Sequence, residues 1–266
     1  MISGKTRVLG LIGRPVAHSL SPQIHNFFAD RLGVDSIYTA FDVGASDLAT
    51  AVNGAYALGF GGLNITYPHK TVVMEFVRGV DKPAEIAQSI NTLKRTPDGF
   101  FGYNTDIIGV ARAISHFDVN PAGETAVILG AGAAARSAAV ALAGLGCGKM
   151  VIANRSRDAA EDLARMIGAQ YGILTEIYNP ADIENLGGKI LINAIALDAD
   201  FAPQADNFDI YFDMNYATGN PYGLAMLAYQ AAAAYEIFTD INVPQNIVSE
   251  IIANLNEING KGGKKC

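Results

Sequence analysis

Short apolar runs alternate with amphipathic stretches from one end of the chain to the other. Val8–Ile12 is a continuous apolar run closed by Gly13, the pattern of a buried strand. Ser21-Pro22 then opens a helix, with Ser21 as N-cap and Pro22 in the first turn. Further strands are predicted at Ile37–Val43 and Phe60–Ile65, and helices at Asp47–Leu58 and Pro68–Val77. Ile90–Lys94 and Phe100–Tyr103 flank Pro97-Asp98-Gly99, which reads as a hairpin. Asp106–Phe117 has helical spacing, and Asn120-Pro121-Ala122-Gly123 breaks the pattern, so a lobe boundary is placed near it. A second series follows: strands at Ala126–Leu129, Met150–Ala153, Ile190–Ile192 and Ile210–Phe212, helices at Ala133–Leu145, Asp158–Ile167, Leu224–Phe238 and Pro244–Ile258. Strands separated by helices predict an α/β fold with parallel sheets.

Composition narrows the class. The chain has 266 residues, half of them apolar, which supplies a core and excludes intrinsic disorder. The net charge of −7 argues against a general nucleic-acid surface but leaves a local anion site open. The longest apolar stretch, Leu224–Phe238, contains Gln230 and Glu236, too short and too polar to span a bilayer. Val8–Ile12 is too short for a signal core, and two cysteines, Cys147 and Cys266, cannot staple a chain of this length. A cytoplasmic protein is therefore expected, with Cys147 inert at a helix end. His18 and His25 lack the cysteine or carboxylate company of a metal site and are expected to be hydrogen-bonded structural residues. His69 and His116 are expected at the surface, and no metal is predicted.

Ala126–Leu129 runs into Gly130-Ala131-Gly132-Ala133-Ala134-Ala135-Arg136, a strand, a tight turn and a helix in the G-x-G-x-x-A pattern. Gly130 permits the turn, Gly132 lets backbone N–H groups approach a pyrophosphate, and Ala135 allows close helix–strand packing. The helix N-terminus adds partial positive charge. The next strand ends Asn154-Arg155-Ser156-Arg157, where an NAD site carries an acid for the ribose 2′-hydroxyl. Guanidinium groups there suit a 2′-phosphate, so NADP is favoured, with two solvated arginines as the alternative and Asp158 softening the preference.

Four polar clusters precede the glycine turn: Gly13 to Asn26, Gly62 to Lys70, Ser89-Ile90-Asn91-Thr92, and Gly102-Tyr103-Asn104-Thr105-Asp106. In their order and spacing they resemble the shikimate dehydrogenase family, closely over residues 8–165 and more loosely over 223–258. The resemblance implies NADP-linked interconversion of 3-dehydroshikimate and shikimate, the small-molecule partners. It implies a substrate lobe at 1–104, a Rossmann-type NADP-binding lobe at 105–222, C-terminal helices at 223–266 returning to the first lobe, and an active site in the cleft. It makes Lys70 the acid–base group and Asp106 its partner. Ser19 and Ser21 would take the carboxylate, and Asn64, Thr66 and Asn91 the ring hydroxyls, with Tyr216 and Gln230 completing the substrate set. The cofactor set would be Gly130, Ala131, Gly132, Ala133, Ala134, Asn154, Arg155, Ser156, Arg157, Asn193 and Gly223. Each polar residue also has a structural reading: Ser21 as an N-cap, Asn64 and Asn91 as left-handed turn residues, Asp106 as a helix cap.

The nucleotide half departs from the family. After Asn193-Ala194 the family has threonine and serine, and here stand Ile195 and Ala196. Tyr216 is followed almost at once by Gly223-Leu224-Ala225-Met226-Leu227, so a segment of the common pattern is absent and one motif glycine is Ala225. That predicts a nucleotide lobe trimmed at its C-terminal edge, with a homodimer partner as one candidate cover for it. A quinate/shikimate dehydrogenase, a paralogue with a modified ring substrate, and a binding protein without turnover stand as alternatives.

Overall fold

The computed structural model describes residues 2–195 and 205–262. The chain divides into two compact units, Met1–Thr105 with Ala228–Asn254, and Asp106–Leu227 with the chain from Leu255.

The first unit holds β1 (Arg7–Gly13), α1 (Ser21–Leu32), β2 (Ser36–Asp42), α2 (Leu48–Ala57), β3 (Gly62–Ile65), α3 (Lys82–Ala87), β4 (Thr92–Thr96) and β5 (Gly99–Tyr103). The sheet runs β2-β1-β3-β4-β5; β1 pairs β2 and β3 in parallel, and β4 and β5 are added antiparallel. Alternation along the strands sorts residues to two faces. Ile12, Leu63 and Ile65 pack with Leu48, Val52 and Ala55 of α2. Leu9, Leu11, Tyr38 and Asn64 lie on the opposite face, where α1 and the later turns of α7 (Pro221–Thr239) pack. Phe28 and Tyr235 meet there edge to face with centroids 5.8 Å apart, and a Cβ on Gly62 would run into the Phe238 ring. Ile24 and Phe28 are wholly buried, each contributing about 1.5–3 kcal/mol by the area they remove from water.

Three local expectations for this unit are corrected. Ser21 is the first residue of α1, and Leu20 occupies the N-cap without a side-chain bond. Pro68 does not start a helix: a turn closed by the His69 N–H on the Thr66 carbonyl at 2.9 Å precedes a 3-10 segment at Val72–Phe76. The short α3 had no sequence prediction; two turns of helix carry too few apolar positions to register a period.

The second unit holds α4 (Thr105–His116), β6 (Thr125–Leu129), α5 (Ala133–Gly144), β7 (Lys149–Ala153), α6 (Arg157–Tyr171), β8 (Leu174–Tyr178), β9 (Gly188–Asn193), β10 (Phe208–Asp213) and the first turns of α7; α8 (Gln245–Gly262) ends the described chain. Its sheet is parallel throughout, ordered β10-β9-β6-β7-β8. Chain order runs outward from β6 in one direction through β7 and β8, and in the other through β9 and β10. The switch point therefore lies between β6 and β9, where open α/β sheets take ligands beyond the strand ends. β8 was not predicted: as an outer strand it is mostly half-exposed and carries Thr175 and Glu176, so its apolar run is interrupted. Among the described residues β10 is the other outer strand, and only a 3-10 turn at Tyr216–Thr218 separates it from α7.

Candidate active site

In the first unit the polar residues form a connected network. After β1, the Ser19 hydroxyl donates to Ser21 Oγ at 3.2 Å, and the Ser21 N–H donates to Ser19 Oγ at 3.2 Å. The Ser21 side chain also lies beside the Tyr38 hydroxyl. Tyr38 Oη donates to Asn64 Oδ1 at 2.8 Å. Asn64 Nδ2 donates to the Asn91 carbonyl at 3.1 Å and to Thr92 Oγ1 at 3.0 Å. Asn91 Oδ1 accepts from the Thr105 N–H at 2.7 Å and from the hydroxyls of Thr92 and Thr105 at 3.0 and 3.1 Å. The Thr105 hydroxyl lies 3.5 Å from Gln230 Oε1 on α7. Asn64, Asn91, Thr92 and Thr105 are buried, which makes each of these bonds expensive to lose.

Backbone pairing explains why these residues meet. Asn64 sits on β3, and the Ile65 N–H donates to the Asn91 carbonyl at 2.9 Å. The Ile90 N–H donates to the Lys70 carbonyl at 2.9 Å, which ties the Lys70 turn to the same segment. Asp106, 4% exposed, lies in the first turn of α4 directly after Thr105, so the Asn91 amide fixes where that helix begins. Neither asparagine is in the left-handed region, which removes the turn-residue reading of both. Thr66 stands just after β3 with its methyl against Gly13, and its hydroxyl makes no hydrogen bond among the described residues.

The network contains residues that sequence reasoning did not assign. Thr92 and Thr105 stood inside two of the motifs without a role. Tyr38 gave no signal, because an aromatic in a strand reads as core.

Histidine chemistry differs from expectation. His25 is 1% exposed with no hydrogen bond to either ring nitrogen, and it stacks on Tyr38 with centroids 4.1 Å apart and planes 1° from parallel. Burial lowers its pKa to about 3, so it is neutral. His69 is buried rather than exposed, its Nε2 2.8 Å from the Val43 carbonyl oxygen, because the turn around Pro68 folds it inward. His116 is exposed. Among the described residues no cluster suits a metal ion.

In the second unit the glycine turn follows β6 at the switch point. Gly130 has φ +102°, which an L side chain resists, and its N–H donates to the Ala153 carbonyl at 2.9 Å. Gly132 is the N-cap of α5 with φ −79°, and a Cβ there would meet nothing within 4 Å. The protein itself therefore has no need of glycine at 132. Open space before uncapped helix N–H groups is what a pyrophosphate requires, and Ala131, Ala133 and Ala134 keep the approach unobstructed. Ala135 is wholly buried against the sheet.

After β7, Asn154 Nδ2 donates to the Ser156 carbonyl at 2.8 Å, and Ser156 caps α6 by accepting from the Ala159 N–H at 3.4 Å. Arg157 is held by Glu161 at 2.8 Å, whereas Arg155 is exposed with no partner among the described residues. Asn193 closes β9: its Oδ1 accepts from the Ile195 N–H at 3.2 Å, and its Nδ2 donates to buried Asp213 at 3.4 Å. Ala196, the second departure in that loop, lies outside the described residues. Tyr216 starts the 3-10 turn, and a Cβ on Gly223 would strike the Asp213 carbonyl oxygen, so Gly223 is required by packing. Tyr211 donates to Asp213 at 3.2 Å, and burial together with that carboxylate pushes its pKa up to about 12. Cys147 is buried, its thiol donating to the Lys149 carbonyl at 3.1 Å, and burial pushes its pKa up, as expected of an inert thiol.

A parallel sheet with this turn at its switch point, joined to a second α/β unit carrying a buried amide–hydroxyl network, defines a two-unit α/β oxidoreductase. Comparisons narrow the class. Residues 11–93 match the shikimate dehydrogenase substrate binding domain, 111–196 the shikimate/quinate 5-dehydrogenase family, and 223–251 the shikimate 5′-dehydrogenase C-terminal domain. A shikimate dehydrogenase (NADP(+)) of Methanopyrus kandleri is 35% identical, covering 94% of this chain and 96% of its own. The crystal structure of a shikimate dehydrogenase in complex with NADP+ superposes with TM-score 0.85 at 33% identity, over 96% and 97% of the two chains. Shikimate 5-dehydrogenase from Listeria monocytogenes, in complex with shikimate and NAD, gives 0.83 at 29% identity over 94% and 98%. The chain belongs to the shikimate dehydrogenase family. Among the described residues no helix is long and apolar enough to cross a membrane.

Proposed function

We propose that this chain interconverts 3-dehydroshikimate and shikimate with NADP(H). The observation that carries the reading is the buried network from Ser19 through Tyr38, Asn64 and Asn91 to Gln230, which suits one small carboxylate bearing several hydroxyls. NADP supplies the hydride chemistry when bound. Ser19 and Ser21 hold the carboxylate. Asn64, Thr66, Asn91 and Gln230 orient the ring hydroxyls, and Tyr216 is assigned to the substrate set. Lys70 gives or takes the proton at the reacting oxygen, and Asp106 orients the ammonium. The pyrophosphate lies over Gly130–Ala134, and Arg155 takes the 2′-phosphate because, unlike Arg157, it is uncommitted.

The short link between β10 and α7 leaves the edge that a second copy of the chain would cover. A free, buried Cys147 suits a reducing cytoplasm. Initial rates of NADP and NAD reduction with shikimate and with quinate test the reading. Shikimate with NADP is expected to be fastest. No turnover in any combination, with shikimate still bound, points instead to a binding protein.

A further inference from the structure

We propose that Tyr38 is a positioning residue that sets the spacing between the two ends of the substrate site, and that His25 and Asn26 serve to hold it. Resting on the reading of Ser21 and Asn64 as substrate contacts, it gives a job to two motif residues that the reaction leaves unused.

Tyr38 is fixed at its backbone and at its ring. Its backbone faces the outer edge of β2, where no strand follows among the described residues. Asn26 of α1 takes the place of that strand: Nδ2 donates to the Tyr38 carbonyl at 3.0 Å, and Oδ1 accepts from the Tyr38 N–H at 2.9 Å. The ring lies flat on His25, which is boxed by the rings of Phe28, Tyr235 and Phe238 at 6.3, 6.0 and 6.0 Å. A ring 2% exposed in that stack has no room to turn.

The hydroxyl is the working end. Tyr38 and Asn64 lie on the same face, on strands β2 and β3 with β1 between them. The phenol reaches over β1 to place its hydroxyl 2.8 Å from Asn64 Oδ1, and the Ser21 side chain lies beside it. Both Nδ2 hydrogens of Asn64 are already directed to the Asn91 carbonyl and Thr92 Oγ1. The substrate is thus offered the remaining acceptor site on Oδ1, and the Tyr38 hydroxyl fixes where that site points. Tyr38 links the group that takes a carboxylate to the group that takes a ring hydroxyl.

The test is a double-mutant cycle on the full chain, with kcat and KM for shikimate at saturating NADP and a thermal melt of each variant. Tyr38→Phe keeps the stack and loses only the hydroxyl. KM is expected to rise about tenfold with kcat within about twofold. In an Asn64→Ala background the same change is expected to add less than about twofold, because the group it positions is gone. Asn26→Ala, which touches no proposed contact, is expected to raise KM in the same direction with kcat retained. An unchanged KM in Tyr38→Phe, or a rise that multiplies in full onto that of Asn64→Ala, overturns the inference. If Asn64→Ala itself leaves KM unchanged, the reading of Asn64 fails and takes the inference with it. If Tyr38→Phe melts far below the native chain, the Asn26→Ala result decides.

Discussion

Replacing Asn91 with alanine removes the amide oxygen that three donors share in the buried network. The backbone bonds of residue 91 survive, since the Ile65 N–H still finds its carbonyl and its own N–H still donates to Tyr103. The hydroxyls of Thr92 and Thr105 are 3.1 Å apart and can satisfy each other by rotation. The Thr105 N–H cannot: it is the first of α4, and the Asn91 amide is its cap from a distant segment, at 2.7 Å. An orphaned buried donor costs about 1–3 kcal/mol, and the lost hydroxyl bond about 1 kcal/mol more, so about 2–4 kcal/mol is expected. For a chain of this size that lowers Tm by roughly 4–8 °C. Far-UV circular dichroism melts of native and Asn91→Ala protein without ligand measure it. A Tm within about 1 °C of native would mean that the Thr105 donor had lost nothing of value and that the Asn91 amide is not its cap.

Arg155→Ala is expected to lower the ratio of kcat/KM for NADP over NAD by about tenfold or more, with Arg157→Ala changing it less, since Arg157 is paired with Glu161; an unchanged ratio in Arg155→Ala would sink the assignment. His25 binds its proton far less readily folded than unfolded, so the unfolded chain holds the extra proton between pH 6.5 and about 3. Its contribution is fully present above pH 6.5 and is lost as pH falls through that window, by about 1.4 kcal/mol per pH unit. His25→Phe keeps an aromatic face on Tyr38 and should flatten the acid limb of stability measured by urea unfolding; an identical slope in both proteins would contradict the buried neutral imidazole.

The strand–helix alternation carried most of the architecture because buried parallel strands are short apolar runs and the helices between them keep their period. The pattern weakened where burial weakens: β8 is an outer strand with Glu176 in it, and α3 is too short to show a period. Local chemistry misled at Ser21, which looked like a cap but is the first helical residue, and at Pro68, where the turn overrode the helix signal. The motifs singled out Asn64 and Asn91, but the register that joins them in one hydrogen-bonded network is tertiary. Tyr38 lies on β2, and nothing in Ile37-Tyr38-Thr39 says that its hydroxyl crosses β1 to Asn64. His69 reads as exposed within a polar run, yet the fold turns it inward onto Val43.

In the proposed function the network binds shikimate while Lys70 moves the proton. Turnover of shikimate with NADP by Lys70→Ala, beside shikimate binding to the same variant by calorimetry, tests it most directly. A loss of kcat of about 10²- to 10⁴-fold is expected, with binding weakened only a few-fold. Retention of turnover within about tenfold of native would contradict it.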